Sequence, residues 1–133
     1  MELKDLVGLH ELDAVDFCTE DIPTWGESFE NCQVMRFRID GVIYAAIEDP
    51  SDGYRSTMRE LKVCDTSMKN VFPPISVLGA YKTKSDYYEC DILELRDVKT
   101  GMLVVEVGTD NSDDYYPSYV ASFRPENMAT NVV

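Results

Sequence analysis

The sequence predicts a mainly β protein: a small antiparallel β-sheet, sandwich or open barrel built from hairpins, with at most short helices. Three observations carry this. In QVMRFRIDGVIYAAIED, Met35, Phe37 and Ile39 alternate with Val34, Arg36 and Arg38 up to Asp40-Gly41, a pair suited to a two-residue hairpin turn. YYECDILEL passes through Lys99-Thr100-Gly101 into MLVVEV, a second hairpin with its turn at Val98 to Gly101. No segment keeps a 3.6-residue apolar period long enough for a substantial helix.

Taken in order, Glu2 to Val7 is a short amphipathic turn or brief helix stopped by Gly8, and Glu11 to Phe17 is a first strand. TEDIPTWGESFEN, residues 19–31, mixes Pro23 and Gly26 with Trp25 and Phe29 and reads as a long loop or lid. The first hairpin follows. Asp49 to Ser56 is dense in turn residues, and Met58 to Val63 is a short strand or a helical turn. Pro73-Pro74 bars a helix before a strand at Ile75 to Tyr81. After the second hairpin, GTDNSDD at 108–114 is an acidic loop or bulged connection. YYPSYVASF is a last strand that Pro117 marks as an edge or a bulge. The 133 residues make a single domain, 1–133, with a loosely ordered tail at about 125–133.

Twenty-five acidic against 12 basic residues give a formal net charge of −13. Such a chain repels polyanions, and it has no basic run to displace counterions, so direct nucleic-acid binding is not expected. Cys18, Cys32, Cys64 and Cys90 form no C-x-x-C pair and the N-terminus has no apolar signal run. They read as reduced, mostly core thiols of a cytoplasmic protein, in the host cytosol if the chain is phage-encoded. No stretch has the apolar length of a membrane span.

Catalysis finds little support. The only histidine, His10, lies among apolar residues in LVGLHEL and reads as a partly buried structural group, which leaves serine or cysteine catalysis without a base. Asp110, Asp113 and Asp114 lack the central Gly and terminal Glu of an EF-hand loop, and no Gly-rich phosphate loop occurs. The reading is therefore no enzyme, no metal and no cofactor.

Two clusters invite a ligand. SDGYRSTMRELK, residues 51–62, gathers Tyr54, Arg55, Arg59 and Lys62 in an acidic chain. These cations either pair internally with Glu48, Asp49, Asp52 and Glu60, or hold a small anion through an Arg fork beside a tyrosine face. The second cluster is Tyr115, Tyr116, Tyr119 and Phe123 with Arg124 and Asn127. Alternation puts Tyr115 and Tyr119 on one face and Tyr116 on the other, with Arg124 free to share a ligand phosphate with Arg55 if their strands are neighbours. The expected ligand-binding set is Tyr54, Arg55, Arg59, Tyr115, Arg124 and Asn127.

DLVG at Asp5 to Gly8, FRIDGVIY at Phe37 to Tyr44, KTG at Lys99 to Gly101 and DYYPSYVASF at Asp114 to Phe123 fall in an order that resembles a small phage and prophage β-rich domain family of unknown function. DPSDGYRS stands where that family has paired cysteines, and NSDD where it has small residues. In size, β-rich character and lack of catalytic residues the chain also resembles the Thoeris anti-defence sponge proteins, which sequester cyclic ADP-ribose-type signals in oligomeric pockets. The resemblance implies a non-catalytic counter-defence protein that sequesters a small anionic nucleotide signal, with a homo-oligomer compatible. The charge supports the alternative of an acidic interaction module or nucleic-acid mimic that inhibits a host defence protein.

Overall fold

The computed structural model describes residues 1–24, 27–51, 54–84, 89–112 and 116–125, with only the backbone described for 22–24, 27–30, 84 and 89. A 3₁₀ turn, Leu3–Leu6, precedes β1 (Gly8–Thr24), β2 (Glu27–Ile39), β3 (Val42–Glu48), β4 (Met58–Cys64), β5 (Val71–Lys84), β6 (Glu89–Asp97), β7 (Leu103–Asp110) and β8 (Ser118–Phe123). They form one antiparallel sheet in the order β4-β3-β2-β1-β5-β6-β7-β8. The β fold expected from the hairpin signals is the fold observed. Among the described residues no helix is long and apolar enough to cross a membrane.

The order amounts to two meanders of sequential strands, β1 to β4 and β5 to β8, joined along one seam where β1 pairs with β5 from Gly8↔Gly79 to Ala14↔Val71. The connection from β4 must pass the positions of β3, β2 and β1 to reach β5. Asp16 fixes its end: the carboxylate accepts the N–H groups of Lys69 and Asn70, both at 2.8 Å, and the Asn70 amide donates to the Val15 carbonyl.

Among the described residues no long helix covers the sheet's main apolar face, and the sheet folds over itself; on the opposite face Val34, Ala45 and Ile47 make a second, smaller buried cluster. Leu12, Val15, Met35, Phe37, Ile39, Val77, Leu93, Leu95, Val105 and Val107 are buried in one core, which Leu3 and Leu6 join from the 3₁₀ turn. The curl brings the sheet's two ends together through side chains. Tyr119 Oη on β8 donates to Ala46 O on β3 at 3.0 Å, and the Met58 N–H of β4 donates to Thr109 Oγ1 of β7 at 2.9 Å. Bulges assist the curvature: Asp13 is the extra residue between Leu12 and Ala14, and Arg59 between Met58 and Glu60. Asp13 then takes a two-pronged bond from Arg38, at 2.7 and 3.0 Å.

The first turn is as expected, with Asp40 at φ 52° and Gly41 at φ 82°. Four expectations change. The described residues of 19–31 are no loop or lid: β1 and β2 continue as a hairpin arm to Thr24↔Glu27, beyond the last partners on β5 and β3. Pro23 is tolerated because the arm's strands pair only with each other and leave an open edge for a residue without an N–H. The same reason lets β5 begin at Val71 and run through Pro73-Pro74, since β6 pairs only from Val77 onward. Met58–Cys64 is a strand, not a helical turn. The segment from 108 is not loop until after Asp110; Gly108 (φ 146°) stays in β7 because only a glycine fits there, a Cβ falling 1.9 Å from Asp91 O of β6. The tail call falls mostly on 126–133, outside the described residues.

Candidate functional site

The end of the sheet where β3 stops, β4 starts and β7 turns into β8 gathers most of the polar and aromatic groups that the core does not absorb. The loop between β3 and β4 is pinched at its base. The Asp49 N–H donates to Thr57 O at 2.7 Å, and Asp49 Oδ1 accepts the Ser51 N–H at 2.8 Å. On this loop Arg55 adopts φ 52°, a left-handed conformation uncommon for a side chain of its size. Beside it, the Tyr54 ring meets Tyr116 edge to face, with centroids 4.9 Å apart and planes at 85°. Both rings stay largely in water, at 71% and 51% exposure.

Below this rim, Tyr119 lies mostly buried with its hydroxyl on Ala46 O. Burial, then the nearby charge of Glu48, pushes the phenol's pKa up and keeps it a hydrogen-bond donor. Glu48 is itself buried and accepts the Gln33 N–H at 3.2 Å. A cleft of about 430 Å³ opens between the base of the hairpin arm and β8, lined by Phe17, Gln33, Val34, Met35, Tyr119 and Ala121. Its walls are mainly apolar, with Thr19, Gln33 and Tyr119 as the polar lining residues. Arg36 stands close to this wall, paired with Glu20 and donating to Cys18 Sγ at 3.0 Å.

The sequence-predicted residues divide. Tyr54 and Arg55 sit at the rim, and the ring that joins Tyr54 is Tyr116, the tyrosine the alternation had set apart. Arg59 is the exposed extra residue of the β4 bulge. Arg124 stands at the far end of β8, its N–H on Val104 O, so the whole strand, roughly 20 Å at about 3.3 Å per residue, separates it from the rim. It cannot share a phosphate with Arg55. Tyr115 and Asn127 lie outside the described residues. Phe17, Gln33 and Tyr119 were not in the predicted set. Tyr119 belonged to the aromatic cluster that pointed this way, whereas Phe17 carried no signal beyond ending an alternating strand.

Other candidates are accounted for by structure. His10 bridges Asp40, at 2.7 Å from Nδ1, and Leu6 O, at 3.0 Å from Nε2, which pins the 3₁₀ turn to the first hairpin turn. None of the four cysteines is in a disulfide, and Cys32 and Cys90 are buried. Among the described residues no three His, Cys, Asp or Glu side chains are placed to hold a metal ion. The second basic group, Lys82 and Arg96, meets on the buried carboxylate of Glu94. Comparison with known proteins adds no relative: no family model, no curated protein and no solved structure matches the chain, so the likeness to the phage and prophage family rests on its short motifs alone.

Proposed function

We propose that the protein is a non-catalytic binding protein that holds a small planar anion, of the nucleotide class, at the Tyr54, Arg55 and Tyr116 rim. The observation that carries this reading is the exposed edge-to-face pair of tyrosines from distant segments, set beside an arginine in a left-handed conformation. Rings 71% and 51% exposed forgo much of their burial, and stacking of a base on an aromatic ring is worth roughly 1–3 kcal/mol. A guanidinium at the same rim adds charge-assisted hydrogen bonds to a phosphate, roughly 1.5–3 kcal/mol. On this reading the protein sequesters its ligand unchanged, the role the motif resemblance gives to a counter-defence sponge.

The test is to incubate the purified protein with a panel of nucleotide signals and to analyse bound and heat-released fractions by mass. Release of an intact nucleotide, lost or weakened at least about tenfold in Tyr54→Ala and Arg55→Ala, supports the reading. A converted product makes the protein an enzyme, and an empty protein against the whole panel removes the proposal.

A second reading is favoured by a separate observation. Arg36, Arg38, Lys82 and Arg96 each sit on a carboxylate, and such pairs neutralise one charge of each sign, so the excess of 25 acidic over 12 basic residues remains as a net charge of −13. A surface so acidic suits a basic protein partner whose association slows steeply with salt.

A further inference from the structure

The outer face of the β1 and β5 seam carries an apolar patch. Leu9 and Leu78 are direct cross-strand partners and therefore project from the same face; they are 71% and 49% exposed. Val98, 52% exposed, follows Asp97 at the end of β6, and its N–H donates to Ser76 O beside them. A groove of about 310 Å³ lies at this patch, lined by Leu9, His10, Glu11, Asp40, Ser76 and Val98.

We infer that this face is the interface of a two-fold symmetric dimer of the chain. The charges flanking the patch select both the partner and the geometry. On the β1 side stand the exposed Glu11 and Asp40; on the β6 side stands the exposed Lys99, beyond Arg96, whose guanidinium is held by Glu94. A two-fold axis lying in the interface along β5 exchanges the two sides while keeping position along the strands. It therefore lays the acidic flank of one copy on the basic flank of the other. Glu11 pairs with Ser76, and Val98 bonds to the same Ser76, so Glu11 of one copy comes opposite Lys99 of the second. An axis across the strands would instead stack acid on acid. A second copy is thus matched in charge on both flanks at once, as an isologous contact requires.

The area fits a modest interface. Leu9, Leu78 and Val98 leave roughly 300 Å² of apolar surface in water, within the span of a monomer's largest apolar patch. Two copies bring roughly 600 Å², close to the apolar share of the about 1,200 Å² buried by the smallest specific interfaces. Dissociation in the micromolar range follows, since the net charge of −13 on each copy opposes association and is only partly screened at about 0.15 M salt.

Sedimentation equilibrium of the full chain from about 1 µM to 1 mM tests this. A reversible monomer–dimer equilibrium is expected. Leu78→Glu is expected to leave a monomer throughout with an unchanged circular dichroism spectrum, and Leu9→Asp serves the same purpose should the first variant misfold. Glu11→Lys and Lys99→Glu should each weaken self-association at least about tenfold, and the double variant should recover it. A wild type monomeric at the highest concentration overturns the inference. So does a dimer that survives both apolar replacements, because its contact then lies elsewhere.

Discussion

Gly108→Ala measures how tightly β6 and β7 are locked. A Cβ at residue 108 falls 1.9 Å from Asp91 O and 2.9 Å from both Asp91 C and Ile92 Cα, whereas ordinary contact begins at 3.4 Å. All three atoms are backbone of the partner strand, and Ile92 is the residue directly paired with Gly108. No side chain can rotate away, so the strands must separate by about 1.5 Å at strands normally about 4.8 Å apart, which breaks the local ladder. Two lost backbone hydrogen bonds cost about 1–3 kcal/mol, and the left-handed φ of 146° adds about 1–3 kcal/mol for alanine. The expected loss is about 2–6 kcal/mol, a large part of the 5–15 kcal/mol that hold a typical domain. Gly41→Ala is the control, because it shares a positive φ, at 82°, but a Cβ there meets nothing within 4 Å. It should cost about 1–2 kcal/mol. Urea unfolding followed by circular dichroism compares the two; if Gly108→Ala is as mild as Gly41→Ala, the close approach of β6 and β7 is wrong.

Tyr119→Phe removes the donor to Ala46 O and should lower stability by about 1 kcal/mol in the same urea assay, with the slope of the transition unchanged. The Asp40 carboxyl is held below the ordinary carboxylate range, first by His10 and then by the Glu11 N–H. Its contribution is therefore present above its unfolded pKa of about 3.9 and is lost as pH falls through the lower folded value. Thermal unfolding of Asp40→Asn between about pH 5 and 2 should show a shallower acid limb than the wild type, by well under 1 kcal/mol because the side chain is half exposed. Tyr81, hydrogen-bonded to Asp91, is pushed up to about 12, so ultraviolet titration of Asp91→Asn should show one tyrosine ionising closer to 10 than in the wild type.

The local part of this fold was legible because the chemistry of a hairpin turn is local. Asp40-Gly41 and Lys99 to Gly101 mark their turns, and the alternation of Met35, Phe37 and Ile39 already tells which face is core. The arm was misread because Pro23 and Gly26 punctuate a loop in most contexts, and nothing nearby in sequence reveals that a strand edge is open. The site was legible only in halves. Tyr54 with Arg55, and the tyrosines after Asp114, stood out by composition, but the pairing of Tyr54 with Tyr116 depends on the sheet's curl, which joins its first-half and second-half strands. The separation of Arg124 from Arg55 follows from the direction of β8, which alternation alone does not give.

The single seam between the two meanders has a consequence for assembly of the chain. Within β1 to β4, and again within β5 to β8, every ladder joins strands adjacent in sequence, so each half closes its pairings over short loops. The seam alone demands a long closure, bringing Gly8 to Gly79, and the entropy of that closure grows only slowly with the residues between. The halves share one core, so their meeting at the seam is the costly event, with Asp16 as the clasp that catches Lys69 and Asn70. A chain severed at residues 65–67, ahead of that clasp, keeps every ladder of both halves, and its two pieces retain the information to find each other again.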